Sequence, residues 1–149
     1  MPEQYKALQG FRDILPDEQP YWRYVEQAAA SVAELYGYRR IETPLLEEVA
    51  LYQRTVGEGT DIVDKEMYSF NDRPDKEGHY DVIAVRPEGT AGVVRAYLEH
   101  GMFKWPQPVK LYYLSAPMFR RDKPQAGRYR EHHQFGCEAL GEDDPAIDA

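Results

Sequence analysis

The hydrophobic positions of the chain recur with two spacings, one typical of helices and one typical of strands. Apolar residues at steps of three and four predict a helix over Pro16–Tyr36. Its predicted buried stripe consists of Trp22, Val25, Ala29, Val32 and Tyr36. Further helices are predicted over Leu45–Val56, stopped by Gly57, and over Thr90–His100.

The remaining apolar segments are shorter and lie between turn residues, as strands do. Strands are predicted over Tyr38–Thr43, Glu66–Phe70, Tyr80–Val85, Val109–Arg121 and Tyr129–Leu140. The second and third should form one hairpin, and the last two another, with Asp122–Gly127 as its loop. Helices mixed with antiparallel hairpins indicate an α+β fold and not a doubly wound sheet.

Charge changes this picture at one place only. The chain has 149 residues, enough for one domain or part of one, and a net charge of −8, which disfavours general nucleic-acid binding. Between Phe119 and Glu131, however, basic residues outnumber acidic ones. These basic residues are Arg120, Arg121, Lys123, Arg128 and Arg130. The cluster is either a solvated basic turn or a local site for an anion.

The cellular compartment follows from small features of the sequence. Cys137 is the single cysteine, so the chain can form no internal disulfide, which suits a reducing compartment. The segment Met1–Lys6 lacks the basic and apolar regions of a signal peptide. No apolar run approaches the roughly 18 residues that a membrane-spanning helix needs. We therefore expect a cytoplasmic protein.

The last predicted strand has one polar face. Because side chains alternate along a strand, one face carries Arg130, His132, Gln134, Gly136 and Glu138. The opposite face carries Phe135, Cys137 and Ala139 and is predicted to be core. Gly136 should leave a hollow between Gln134 and Glu138 where a small polar ligand could lie. A solvated sheet face explains the same pattern equally well.

Two further groups could bind a ligand. Arg120 and Arg128 flank the predicted loop, and their planar guanidinium groups suit a chain of phosphates. Glu88 precedes a helix, where it can interact with the helix dipole or with a ligand ammonium, and Thr90 is a candidate N-cap. The sequence contains no P-loop, no dinucleotide-binding glycine pattern and no metal-ligand spacing.

Four segments, in chain order, resemble the histidyl-tRNA synthetase family. Phe119–Glu138 closely resembles motif 2 of that family, and Arg86–Gly92 is similar to its amino-acid-binding segment. Tyr38–Pro44 resembles motif 1 of class II synthetases, and Gly10–Pro16 is similar to the usual opening of the family. The resemblance covers essentially the whole chain and favours ligand binding over solvated surface for the groups above.

The resemblance implies a fold and a reaction. The fold would be the class II aminoacyl-tRNA synthetase antiparallel sheet flanked by helices, incomplete here. The activity would be histidine–tRNA ligation, in which histidine attacks the α-phosphate of ATP and the activated histidine passes to tRNA(His). ATP would arrive with Mg²⁺, and no metal ligands are expected from the protein. A homodimer is expected through the motif 1 region around Pro44.

The resemblance also implies roles for individual residues. Arg120 would hold the α-phosphate of ATP and act as the catalytic residue, and Arg128 would reach the distal phosphates. The remaining ATP-binding positions are Asp122 and His132. The histidine-binding positions are Glu88, Thr90, Gln134 and Glu138, of which Glu138 would accept a hydrogen bond from the imidazole.

Two residues and the length depart from the family pattern. His132 stands where an aromatic residue, usually phenylalanine, stacks on adenine, and Asp122 stands where glutamate is common. Residues 1–149 contain motifs 1 and 2 of the catalytic domain but lack motif 3 and the anticodon-binding domain. We therefore expect a fragment of a longer protein, with little aminoacylation by this chain alone.

A second function is compatible with much of the same pattern. The histidine-sensing regulatory subunit of ATP phosphoribosyltransferase resembles these synthetases but does not charge tRNA. Such proteins usually carry an altered motif 2 loop and lack the sequence Arg-Pro-Glu-Gly-Thr. Both features are intact here, in Phe119–Glu138 and Arg86–Thr90, so the ligase is favoured.

Overall fold

The computed structural model describes residues 5–56 and 66–148, which form helices and short sheets. In chain order the elements are α1 (Gln19–Leu35), β1 (Arg39–Arg40), β2 (Leu46–Glu48), α2 (Val49–Val56), β3 (Tyr68–Asn71), β4 (Val82–Val85), α3 (Thr90–Glu99), β5 (Val109–Phe119) and β6 (Glu131–Leu140). Short 3₁₀ helices lie at Met102–Lys104, before β5, and at Pro145–Asp148, after β6. The mixture confirms the α+β class. Within these described ranges, no helix combines the length and apolarity that crossing a bilayer requires.

The strands of the described residues form two three-stranded sheets. One has the order β1-β5-β6 and the other β2-β4-β3. The hairpins β3–β4 and β5–β6 are antiparallel, as predicted, and β1 joins β5 in parallel. The amide of Phe119, the last residue of β5, donates at 3.0 Å to the carbonyl of Arg86, which directly follows β4. The ends of β4 and β5 therefore lie side by side.

Helix α3 is fixed by two clusters of buried side chains. One cluster joins α3 to β5 and comprises Val93, Met102, Val109, Leu111, Tyr113 and Met118. The other joins α3 to α2 and β4 and comprises Tyr52, Met67, Ala84 and Ala91. Full burial of a large apolar side chain contributes about 1.5–3 kcal/mol. The N-terminus of α3 is thus held firmly beside both sheets.

The predicted helix Leu45–Val56 is correct only in its second part. Leu46–Glu48 forms β2 and pairs with β4, with Leu46 opposite Val85. These leucine and glutamate residues favour a helix locally, but pairing with a neighbouring strand outweighs that weak preference. The predicted stop at Gly57 lies outside the described residues.

Helix α1 presents only part of the predicted stripe to the sheet, since Trp22 and Ala29 are partly buried. Val25 and Val32 of the predicted stripe are 62% and 54% exposed, whereas Ala33 is buried. Glu26 faces the sheet instead, where it accepts a hydrogen bond from the Ser115 hydroxyl on β5. The side of α1 that faces β5 therefore includes a glutamate that accepts a hydrogen bond, in addition to apolar residues.

Candidate active site

The loop between β5 and β6 presents Arg128 at the surface. The amides of Gln125 and Arg128 each donate to the other's carbonyl, at 3.1 and 3.0 Å, and close a tight turn. Gly127 within it has a φ of 74°, a conformation that favours glycine. The guanidinium of Arg128 lies 2.8 Å from the Asp122 carboxylate and is 50% exposed. An exposed ion pair contributes only about 0–1 kcal/mol, so a phosphate could take the place of Asp122.

Arg120 and His132 lie on the same side of the hairpin. The Arg120 amide donates to the Arg130 carbonyl at 2.7 Å, and Met118 stands opposite His132 in the ladder. Burial, followed by the positive charge of Arg120, lowers the pKa of His132 below its ordinary value. The His132 ring is therefore uncharged at neutral pH.

Glu88 caps the N-terminus of α3. Its carboxylate accepts hydrogen bonds from the amides of Thr90, at 2.6 Å, and Ala91, at 3.1 Å. The helix cap is Gly89, so the prediction of Thr90 as the N-cap is wrong, because the side chain of Glu88 already satisfies the helix amides. The hydroxyl of Thr90 is left available for another partner.

That partner is Glu138 on β6. The Thr90 hydroxyl donates to Oε1 of Glu138 at 2.7 Å, across 48 residues of sequence. Among the described residues, Oε2 of Glu138 has no hydrogen-bond partner. The contact places the segment that begins at Arg86 against the face of β6 that also carries His132, as the alternation of side chains predicts.

Tyr113 occupies the space that the sequence predicts to be hollow. A Cβ atom added at Gly136 would lie 2.3 Å from Cζ of Tyr113, and one at Gly89 would lie 2.4 Å from the same atom. The ring is thus sandwiched between two glycines, and the prediction of an open floor at Gly136 is wrong. Burial and the neighbouring Glu138 carboxylate raise the pKa of Tyr113, so its phenol stays protonated.

Gln134 lies between His132 and Glu138 along β6. It stands opposite Ala116, next to a bulge in β5 where Ser115 has a φ of 51°. In the described part of the chain, no group hydrogen-bonds to the Gln134 amide. His132 and Glu138 are six residues apart, roughly 20 Å along a strand. The arrangement therefore provides an arginine end, an amide and a carboxylate end in one row.

The opposite face of β6 is more exposed than predicted. Phe135 is 44% exposed and Cys137 is also exposed, so their assignment to the core is wrong. In the described part of its sheet, β6 is an edge strand. On this face Trp22 of α1 packs against His133, with ring centroids 4.7 Å apart. Helix α1 leaves Phe135 and Cys137 exposed on this face.

Arg86 is a buried residue that sequence reasoning did not single out. Its Nε donates to the Pro117 carbonyl and its Nη1 to the Thr43 carbonyl, both at 2.9 Å. Arg86 thereby ties the segment carrying Glu88 to β5 and to the end of the motif 1 region. Its sequence signal is its place at the start of Arg86–Gly92, directly before Pro87 and Glu88.

One group of side chains could approach a metal ion away from this row. Asp75, Glu77 and His79 lie in the β3–β4 hairpin loop, with candidate ligand atoms within 4.8 Å of one another. All three are exposed. The Asp75 carboxylate accepts hydrogen bonds from the amides of Glu77, at 2.8 Å, and His79, at 2.9 Å. These bonds stabilise a turn, and the turn explains why the three side chains lie close together.

Comparison with known proteins identifies the family of the chain. The histidyl-tRNA synthetase family profile matches residues 10–149. A histidine–tRNA ligase of Dehalococcoides mccartyi is 59% identical over 145 residues, which are 97% of this chain and 33% of that protein. The chain thus spans about a third of the length of the curated relatives it matches.

Solved structures agree with the sequence comparison. The apo histidyl-tRNA synthetase of Staphylococcus aureus has a TM-score of 0.74 and 40% identity, covering 97% of this chain and 31% of the other. A Bacillus halodurans structure described as an ATP phosphoribosyltransferase regulatory subunit/histidyl-tRNA synthetase has a TM-score of 0.75 and 26% identity, covering 99% of this chain and 35% of the other. The expected class II fold is confirmed, and the chain belongs to the histidyl-tRNA synthetase family.

Proposed function

We propose that the protein containing this chain is a histidine–tRNA ligase. In the reaction, a carboxylate oxygen of histidine attacks the α-phosphorus of ATP, and the bond to the leaving pyrophosphate breaks. A ribose hydroxyl at the 3′ end of tRNA(His) then attacks the acyl carbon of histidyl-adenylate, the bond to the phosphate breaks, and AMP leaves. The support is family membership together with a row of charged residues that suits an amino acid joined to a nucleotide.

The arginine end of the row would hold ATP. Arg120 would stabilise the negative charge that builds up at the α-phosphate, and Arg128 would exchange Asp122 for the distal phosphates. The uncharged ring of His132 would stack on adenine, with Asp122 near the adenine amine. In-line transfer at phosphorus depends on positioning and charge stabilisation, so the site needs no serine or cysteine nucleophile.

The carboxylate end would hold histidine. Glu138 uses Oε1 for Thr90 and leaves Oε2 to accept from an imidazole N–H. A carboxylate offers about four lone-pair positions, so Glu88 can cap α3 and still accept from the α-ammonium. Thr90 and Gln134 would complete the ammonium site. A buried group left unpaired by a wrong amino acid would then reject it.

Mg²⁺ would enter bound to ATP. The described carboxylates of the row already have partners: Asp122 pairs with Arg128, Glu88 with the helix amides and Glu138 with Thr90. This suits a cation held mainly by phosphates and water, which is the usual coordination of Mg²⁺ with nucleotides. The cation would neutralise phosphate charge as pyrophosphate leaves.

The observation that carries the proposal is the contact of Thr90 with Glu138, on the face of β6 that also carries His132. The test is histidine-dependent exchange of pyrophosphate into ATP, measured on the longest product of the gene. Arg120→Ala should slow exchange by about 10²-fold or more, because it removes charge stabilisation at the α-phosphate.

The neighbouring arginine provides the control for that test. Arg121 is exposed, and its amide donates to the Glu66 carbonyl. Arg121→Ala removes the same charge from the loop and should leave the exchange rate within a few-fold of the unmodified protein. Equal rates for the two variants would discard the role of Arg120. Absence of histidine-dependent exchange in the unmodified protein would discard the ligase itself.

The regulatory subunit of ATP phosphoribosyltransferase is not favoured. Curated relatives at 59% identity carry the ligase name, whereas the structure described with both functions is 26% identical. Charging of tRNA(His) separates the two functions, because only the ligase performs it.

A cytoplasmic homodimer completes the proposal. The outward side of α1 carries large apolar side chains that no described residue covers. They are Tyr21, Tyr24, Val25, Val32 and Leu35, each more than half exposed. A second copy would bury them beside the motif 1 region around Pro44. The cytoplasmic location is proposed because the tRNA substrate is found there. Sedimentation should give twice the monomer mass.

A further inference from the structure

The segment near the N-terminus is bonded to the start of β6. Residues 8–12, named here the N-terminal strap, turn at Gly10, whose φ is 87°. The Gly10 carbonyl accepts hydrogen bonds from the amides of Arg130, at 2.8 Å, and Glu131, at 3.4 Å. Phe11 packs beside Phe119, with ring centroids 6.3 Å apart. The strap therefore contacts both strands that flank the arginine loop.

Arg130 continues this connection into the loop. Its Nε donates to the Asp122 carbonyl at 3.0 Å, and its Cγ would lie 2.9 Å from a Cβ added at Gly10. Asp122 in turn pairs with Arg128 at 2.8 Å. Contacts thus run without interruption from Gly10 through Arg130 and Asp122 to Arg128.

The half-exposed pair of Asp122 and Arg128 is too weak to hold the loop in place by itself. The two backbone bonds to the Gly10 carbonyl and the part-buried bond from the charged Arg130 donor to the Asp122 carbonyl add to it. Arg130 was predicted to share the ligand-facing side of β6, but its guanidinium is directed to the backbone of the loop.

We infer that the N-terminal strap is a positioning element for the nucleotide end of the site, acting through Arg130. The inference rests on the proposed ligase function. It assigns a task to residues 10–12, the part of the opening segment that lies in the strap. The strap presents Arg128 in the geometry that phosphate binding needs, and it leaves the histidine end unaffected, since Glu88 and Glu138 are held by separate contacts.

The test compares KM for ATP with KM for histidine in pyrophosphate exchange, on the longest product of the gene. Gly10→Ala forces a side chain against Arg130 and Pro124, at 2.9 and 3.0 Å. Arg130→Lys is the milder variant, because it keeps the charge but loses the Nε donor. Each should raise KM for ATP about tenfold or more, since loop displacements of about 1 Å have effects up to 10²-fold. KM for histidine should stay within twofold.

Gly37→Ala is the matched control. Gly37 has a φ of 80°, so alanine there is strained in the same way, yet nothing lies within 4 Å of the added carbon. It should lower Tm as Gly10→Ala does and leave both KM values unchanged. The strap is refuted if KM for ATP is unchanged in Gly10→Ala and Arg130→Lys, or if both KM values rise together.

Hydrogen exchange of residues 120–131 decides the same question without catalysis. If the unmodified protein shows no histidine-dependent exchange of pyrophosphate, the proposed function fails. Amide hydrogen exchange alone then tests the strap. Faster amide exchange in Gly10→Ala and Arg130→Lys than in Gly37→Ala supports the strap. Equal exchange in all three variants overturns it, and a misfolded Gly10→Ala leaves Arg130→Lys to decide.

Discussion

Gly136→Ala is the change that most directly tests the sandwich around Tyr113. The added carbon would lie 2.3 Å from Cζ of Tyr113, whereas carbon atoms in contact lie about 3.5–4.0 Å apart. The ring must retreat by about 1 Å, but Gly89 lies directly behind it. Overpacking of this kind costs about 1–3 kcal/mol.

A double-mutant cycle separates this clash from other effects of the new methyl group. Tyr113→Val removes the ring, so Gly136→Ala should cost close to nothing in that background. The coupling free energy between the two positions should therefore be about 1–3 kcal/mol, the full cost of the clash. Tyr113→Phe keeps the ring and should preserve the clash.

The assay is thermal unfolding of the four proteins in the cycle. Gly136→Ala should lower Tm by roughly 2–10 °C in the unmodified background and by much less beside Tyr113→Val. It should also raise KM for histidine, because the displaced ring disturbs Thr90 and Glu138. An equal fall in Tm in both backgrounds would refute the sandwich.

Two further predictions concern the ends of the row. Glu138→Ala should raise KM for histidine by roughly 10–100-fold and leave KM for ATP unchanged, because it removes a charged hydrogen-bond acceptor; normal histidine binding by the variant would contradict the assignment. The lowered pKa of His132 means that the unfolded chain binds more protons at this site than the folded one, so stability falls as pH drops below the ordinary value of 6.5. His132→Phe should therefore reduce the fall in Tm between about pH 7 and pH 5, and an unchanged fall would argue against the uncharged ring.

The alternation of side chains along β6 is the part of the site that sequence predicts best. A strand has a strict period of two, so one accepted strand places His132, Gln134 and Glu138 on one face. The contact of Glu138 with Thr90 agrees with that prediction. The loop that carries Arg128 is predicted equally well, because its proline and glycine favour a turn.

The sandwich could not be predicted in this way. Tyr113 reaches Gly136 only in one pairing of β5 with β6, and the register shifts at the bulge after Tyr113. Ser115 takes a left-handed conformation there, which a serine does not signal. A glycine opposite an aromatic residue is a usable hint only once the register is known.

The exposure of α1 and β6 shows a second limit. Apolar spacing indicates which residues seek cover, but not whether the neighbouring element provides it. Val25 is exposed whereas Glu26 beside it bonds a hydroxyl on β5, and Phe135 is exposed on a strand at the edge of its described sheet. Both outcomes depend on contacts between segments far apart in sequence.

The buried Arg86 has a consequence for synthesis of the protein on the ribosome. Its carbonyl partner Pro117 follows 31 residues later in the chain. At roughly 5–20 residues per second, about 2–6 s pass before that partner exists. During this interval the Thr43 carbonyl is already present but the bond from Nε to β5 cannot form, so the turn leading to Glu88 is not yet tied to β5. Slow codons between these two positions prolong the delay and the time in which the nascent chain can be captured by chaperones.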